Sequence, residues 1–136
     1  GAVKVLREVN RPNAGLMIDM HHFHRALDKP EDLDALPREW FHFAHLCDAQ
    51  GQIPTDRAEM IRILREERLY AGEGGIDIAA ILKHVPAPVL SIELPHLARV
   101  KEFGTAEHAF RCIEAAKRYT AAHGLSAPFN KLEKVA

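Results

Sequence analysis

Short apolar runs alternate with amphipathic stretches along the chain. Leu16-Met17-Ile18-Asp19-Met20 is nearly all apolar, interrupted by one acid, a pattern that marks a parallel strand covered on both faces. Trp40 to Leu46 reads as a second strand, and Val89-Leu90-Ser91-Ile92-Glu93 as a third that again ends in an acid. Residues 2–9 predict a short helix with Val3, Leu6 and Val9 on one side. Pro30 to Leu36 predicts another, because Glu31, Asp32 and Asp34 suit the positive end of a helix dipole. Ala58 to Leu64 follows, with Thr55 as its N-cap, then Asp77 to His84, closed by Pro86 and Pro88. The last strong element runs from Thr105 to His123, capped by Thr105, with Phe110, Ile113, Ala116 and Ala121 on or near its apolar face. Gly124 ends it as a left-handed cap. Residues 11–15, 48–51 and 72–75 are turns and loops rich in Pro, Asn, Asp and Gly.

Strands that alternate with helices predict an α/β chain of parallel βα units joined by right-handed crossovers. In such architectures functional groups gather where strands end. Asp19, His45 and Glu93 each stand at a strand end, so they are expected to meet on one face. Alternation along a strand puts Met17, Asp19 and His21 on one side, and likewise Phe43, His45 and Cys47, and Ser91 and Glu93. Two carboxylates and one imidazole make an oxygen-rich site suited to Mn or Mg, with Zn or Co also compatible.

Composition narrows the function classes. The 136 residues are one domain's worth, 47% hydrophobic and 27% charged. A net charge of -1 offers no electrostatic footprint for nucleic acid. No stretch approaches the roughly 20 apolar residues of a membrane span. Cys47 and Cys112 lie far apart in sequence, which suggests reduced thiols and a cytoplasmic setting. Histidine is abundant, and five of the nine, His21, His22, His24, His42 and His45, fall between positions 21 and 45.

Four segments taken in order carry a family resemblance. Ile18-Asp19-Met20-His21-His22 fits a D-x-x-H signature at a strand end, and Ala44-His45-Leu46-Cys47-Asp48-Ala49 fits an H/Q-L-x-D-A segment. Arg68-Leu69-Tyr70-Ala71-Gly72-Glu73-Gly74 is similar to an R-x-x-P-G-E/Q-G loop, with Ala71 where proline is usual, and Ser91-Ile92-Glu93 matches a strand ending in glutamate. The set resembles the xylose isomerase-like TIM-barrel superfamily, in particular its sugar phosphate isomerase/epimerase branch. The resemblance implies that residues 1–125 are the C-terminal portion of a TIM (β/α)8 barrel, about three strands with their helices, followed by a tail over 126–136.

It also implies a divalent metal held by Asp19, His45 and Glu93, with Glu93 doubling as general acid or base. His22 would contact a substrate oxygen or shuttle a proton. Arg68 would anchor an anionic or hydroxyl-rich end of the substrate, with a solvated helix-end charge as its plain alternative. Asp48 and Glu73 would stabilise loops, His21 and His24 would line the site or support it, and Cys47 would be a packed thiol. The implied reaction is isomerisation or epimerisation of a small sugar, sugar phosphate or polyol by proton transfer next to a carbonyl. A metal-dependent dehydratase of the dehydroshikimate or inosose type shares the same motifs and remains the alternative. A DNA-repair branch with a trinuclear zinc site is disfavoured by the near-neutral charge.

A closed barrel of this kind has eight strands in about 250 residues, and the superfamily's first metal-binding glutamate lies on an earlier strand. The expected partner is therefore the N-terminal half of the barrel or another copy of the chain. An inactive half-barrel that needs such a partner is the non-enzymatic alternative.

Overall fold

The computed structural model describes residues 1–86 and 89–125. The tail expected over 126–136, and Pro88, lie outside the described residues. Strands β1 (Leu16–Asp19), β2 (Phe41–Leu46) and β3 (Leu90–Ile92) form one parallel sheet in the order β1-β2-β3. The helices are α1 (Ala2–Val9), α2 (Met20–Arg25), α3 (Arg57–Glu66), α4 (Ile78–Lys83), α5 (Leu97–Phe103) and α6 (Thr105–Ala122). This is the expected α/β arrangement: a part of a TIM barrel with three strands and covering helices. Among the described residues, β1 and β3 each pair on one side only.

Register fixes which side chains share a face. Asp19 pairs with His45, and His45 with Ser91, so the three strand ends lie level. On the opposite face Ile18, Ala44 and Leu46 join Ile76, Ile78 and Ile81 in the main core. Met17 and Phe43 pair across the site face, and Met17 is 41% exposed there.

Several boundaries move, each for a local reason. β1 stops at Asp19 because the Asp19 carboxylate accepts the His22 N–H at 2.9 Å and starts α2 at once. His21 therefore sits in a helix, not on the β1 face with Met17 and Asp19, and it is buried. The 30–36 segment forms a 3-10 helix over Pro30–Ala35. Asp56 replaces Thr55 as the cap of α3, accepting the Glu59 N–H at 2.8 Å. Asp77 caps α4 in the same way, through Ala80 N–H.

The segment before α6 holds an unforeseen helix, α5. Gly104 takes φ +81°, a conformation open to glycine, and turns α5 directly into α6. Thr105 is then the first helical residue and caps nothing. The buried face of α6 is His108, Cys112 and Ala115, with Ala116 half-buried beside it. Phe110 and Ile113, expected inward, are 59% and 45% exposed, and Ala121 is exposed too. Gly124 does adopt the left-handed conformation expected of it, with φ +64°.

One carboxylate organises the loop beneath the site. Asp48 is 1% exposed. Its Oδ1 accepts the N–H of Ala49 (2.8 Å) and Ile76 (3.1 Å), and its Oδ2 those of Gly72 (3.1 Å) and Gly74 (2.9 Å). A Cβ on Gly74 would collide with Ala49 O and the Asp48 carboxylate, so only glycine lets the loop close on the acid. Asp48→Ala would leave four backbone donors without an acceptor, at about 1–3 kcal/mol for each one that stays buried. The expected outcome is a large drop in thermal midpoint by circular dichroism, enough to unfold a marginal domain. An unchanged midpoint would contradict the loop role.

Candidate metal centre

The site is built from three strand ends and one buried arginine. Asp19 ends β1, His45 is the penultimate residue of β2, and Glu93 follows β3 directly. One ligand atom from each lies within 4.8 Å of the other two. His45 Nδ1 is 2.8 Å from Glu93 Oε2 and 3.5 Å from Asp19 Oδ2. It is aligned for a hydrogen bond to neither, so a buried ring nitrogen has no partner. An orphaned imidazole nitrogen facing two carboxylate oxygens fits a cation with O and N ligands.

Arg68 ties the cluster from below. Only 1% exposed, it is not the solvated helix-end charge that the sequence allowed. Its Nη1 donates to Asp19 Oδ2 at 2.7 Å and to the Glu93 carbonyl at 3.2 Å, and lies 3.3 Å from Glu93 Oε2. It also donates to the Cys47 thiol at 3.3 Å, while Nε donates to Leu64 O at 3.1 Å. Burial alone would raise the Asp19 carboxyl. The Arg68 guanidinium and the His22 N–H outweigh it and hold the group below the usual range. Burial opposes the charge on Arg68 as well, but its anionic neighbours leave the guanidinium net raised. Cys47 is pushed up to about 11, chiefly by burial, and is a neutral packed thiol.

The other expected residues are spread around this centre. His22 is exposed on α2 and shares with Asp19 a cavity of about 440 Å³ that Met17, Phe23 and Leu36 also line. His45 and Glu93 do not line that cavity. His24 Nε2 is 2.9 Å from Gly51 O, a contact that ties α2 to the 48–51 loop. Glu73 accepts the Tyr70 N–H (3.1 Å) and Arg99 Nη1 (2.8 Å), so it supports its loop. Tyr70 and His108 form a second polar group, absent from the expected site, and their side chains meet at 2.9 Å across 38 residues. No local spacing announces a pair so distant.

No protein-family profile matches the chain. The inosose isomerase of Bacillus subtilis (strain 168) is 30% identical over 125 residues, covering 88% of this chain and 40% of its own length. That of Bacillus licheniformis is 33% identical over 98 residues, 68% of this chain and 33% of its own. The crystal structure of the IolI protein with a bound zinc atom matches with a TM-score of 0.65 and 28% identity over 90% of this chain and 41% of that one. A xylose isomerase domain protein from Alicyclobacillus acidocaldarius subsp. acidocaldarius, 21% identical, shares the fold with a TM-score of 0.54, over 84% of this chain and 42% of that one. The chain thus spans 40% or less of the curated relatives it matches.

Fold and site together define part of a parallel α/β barrel with ligand-type side chains at its strand ends. The chain is similar in sequence to the inosose isomerases and has the fold of part of a xylose isomerase-like TIM barrel.

His21 supplies a pH test of the support around the centre. It is 2% exposed and neither ring nitrogen has a partner. Burial, then the charges of Arg25 and Arg68, lower its pKa from 6.5 to about 4. As pH falls through 6.5 the unfolded chain takes up this proton and the folded chain does not. Stability is therefore expected to fall between about pH 6.5 and pH 4, with no further loss from this group below that. Thermal melts in chelator should show this slope, flattened in His21→Leu. Parallel curves for the two proteins would contradict it.

Proposed function

We propose that this chain carries most of the metal and proton-transfer site of a metal-dependent isomerase or epimerase acting on a small sugar, sugar phosphate or polyol. The reading rests on the convergence of Asp19, His45 and Glu93 around an unpartnered His45 Nδ1. The inosose isomerases and the zinc-bearing IolI protein support both the reaction class and the metal. Asp19, His45 and Glu93 are the proposed ligands. Their donor set favours Mn or Mg and accepts Zn or Co. A bound divalent ion would supply Lewis acidity that eases loss of a proton beside a carbonyl.

The chain's own residues divide the remaining work. Glu93, with a side chain 47% exposed, is the proposed base that takes the proton and returns it to the neighbouring carbon or the opposite face. Asp19, held by Arg68 and the His22 N–H, keeps its negative charge over the working pH range. His22 is proposed to bond a substrate oxygen and steady the enediolate from the cavity it shares with Asp19. Arg68 spends Nη1 on the Asp19 carboxylate and the Glu93 carbonyl; its Nη2 has no partner among the described residues and is the proposed substrate contact. The edges of β1 and β3 that are unpaired among the described residues support a further proposal: the N-terminal half of the barrel, or another copy of the chain, supplies the remaining strands, completes the sheet and adds a carboxylate.

Two measurements on one preparation test this. Calorimetric titration with Mn²⁺ or Zn²⁺ is expected to give one site per chain. Loss of an outer hydrogen-bonding partner already weakens metal sites by ~10–100-fold, so Asp19→Ala, His45→Ala or Glu93→Ala should each exceed that. Ketoses and inosose-type polyols incubated with the loaded protein in deuterated water should gain deuterium beside the carbonyl, by NMR, and Glu93→Gln should abolish the gain. Metal uptake unaffected by all three substitutions would sink the site. Loss of water from the substrate would move the reaction to the dehydratase class.

A further inference from the structure

Outside the three-ligand cluster, a second buried side-chain group is centred on His108 of α6, which is 6% exposed. His108 Nε2 is 3.1 Å from Leu94 O, which can only accept, so Nε2 carries the proton. Nδ1 lies 2.9 Å from the Tyr70 hydroxyl, which can donate to it. One imidazole thus joins two segments with both nitrogens satisfied. Leu94 follows Glu93, and Tyr70 stands two residues after Arg68.

The same two segments meet at further points. Arg68 N–H donates to Pro95 O at 3.1 Å, and Glu67 bridges to His96. The Arg99 guanidinium lies 4.0 Å above the Tyr70 ring, and Tyr70, Cys112 and Ala115 pack with Ile92 and Leu94.

Glu93 needs this support more than its fellow ligands do. Asp19 is fixed by a helix cap and a buried ion pair, and His45 lies within a six-residue strand. Glu93 lies past the end of a three-residue strand paired on one side, and its side chain is half exposed. The His108 bond to the next carbonyl holds the backbone on its far side.

We infer that His108, oriented by Tyr70, is a positioning residue for Glu93: it locks the Glu93–Leu94 backbone to the Arg68–Tyr70 segment and so sets where the Glu93 carboxylate meets Asp19 and His45. The inference rests on the proposed reading of these three residues as metal ligands.

The test is a double-mutant cycle on Zn²⁺ affinity, measured by calorimetry on the full chain. His108→Leu is expected to weaken zinc binding about 10-fold in the unsubstituted protein, the lower end of the range for groups that orient ligands. It should have no further effect in a Glu93→Ala background, because the only ligand it positions is gone. His108→Gln, whose amide can donate to Leu94 O, should restore most of the affinity. Tyr70→Phe, which removes one hydroxyl and keeps the ring, should weaken binding in the same Glu93-dependent way and serves if the leucine variant does not fold. Equal weakening with and without Glu93 would mean general structural damage and overturn the inference, as would unchanged affinity. No zinc uptake by the unsubstituted chain would instead overturn the metal-site reading, and this inference with it.

Discussion

The buried ion pair between Arg68 and Asp19 is the constraint around which the rest is arranged. Their atoms meet at 2.7 Å with side chains 2% and 3% exposed, across 49 residues of sequence. Two such groups leave water at a high free-energy cost, repaid only if every remaining donor and acceptor finds a partner. Here most of them do. Asp19 also caps α2, and Arg68 also meets Leu64 O, Cys47 and Glu93. Deleting one partner of such a pair typically costs about 3–5 kcal/mol, because the other charge is left stranded. The pair therefore fixes where β1 ends, where the 67–70 segment runs and how the strand-end carboxylates are spaced.

That arrangement supplies two properties a proton-transfer site needs. Asp19 is held ionised against its burial, so it can contribute charge without taking part in proton traffic. Glu93 remains half exposed, which suits the role of giving and taking a proton proposed for it. Two carboxylates of one strand-end cluster thus sit in different surroundings, one buried and paired, the other half exposed. The support is graded in the same sense. Asp48 gathers the glycine-rich loop with four backbone hydrogen bonds, and that loop leads from the Arg68 segment back to the core at Ile76.

The strands and the three candidate ligands were legible in the sequence, because near-continuous apolar runs ending in Asp19, near His45 and at Glu93 are local signals. Helix starts were less so. Asp19 acts at once as strand end and helix cap, a double role that alternation along β1 conceals, and it carried His21 off the strand face. α5 was missed because its N-cap is His96, accepting the Arg99 N–H at a long 3.4 Å, and histidine is not a residue that announces a helix. Phe110 and Ile113 read as core by hydrophobicity, yet α6 turns His108 and Cys112 inward to meet Tyr70 and Leu94. The burial of Arg68 and its pairing with Asp19 depend on tertiary closure, which no window of sequence contains.

Whether Asp19, His45 and Glu93 form a single centre is the question on which the proposed metal site turns. X-ray absorption at the zinc edge of the zinc-loaded chain measures it most directly. A single centre gives one imidazole nitrogen and the rest oxygen ligands, with Zn–N and Zn–O distances of about 2.0–2.2 Å, and loses this signature in Asp19→Ala. A sulfur ligand at about 2.3 Å, or several imidazoles drawn from the histidines between positions 21 and 45, would contradict it.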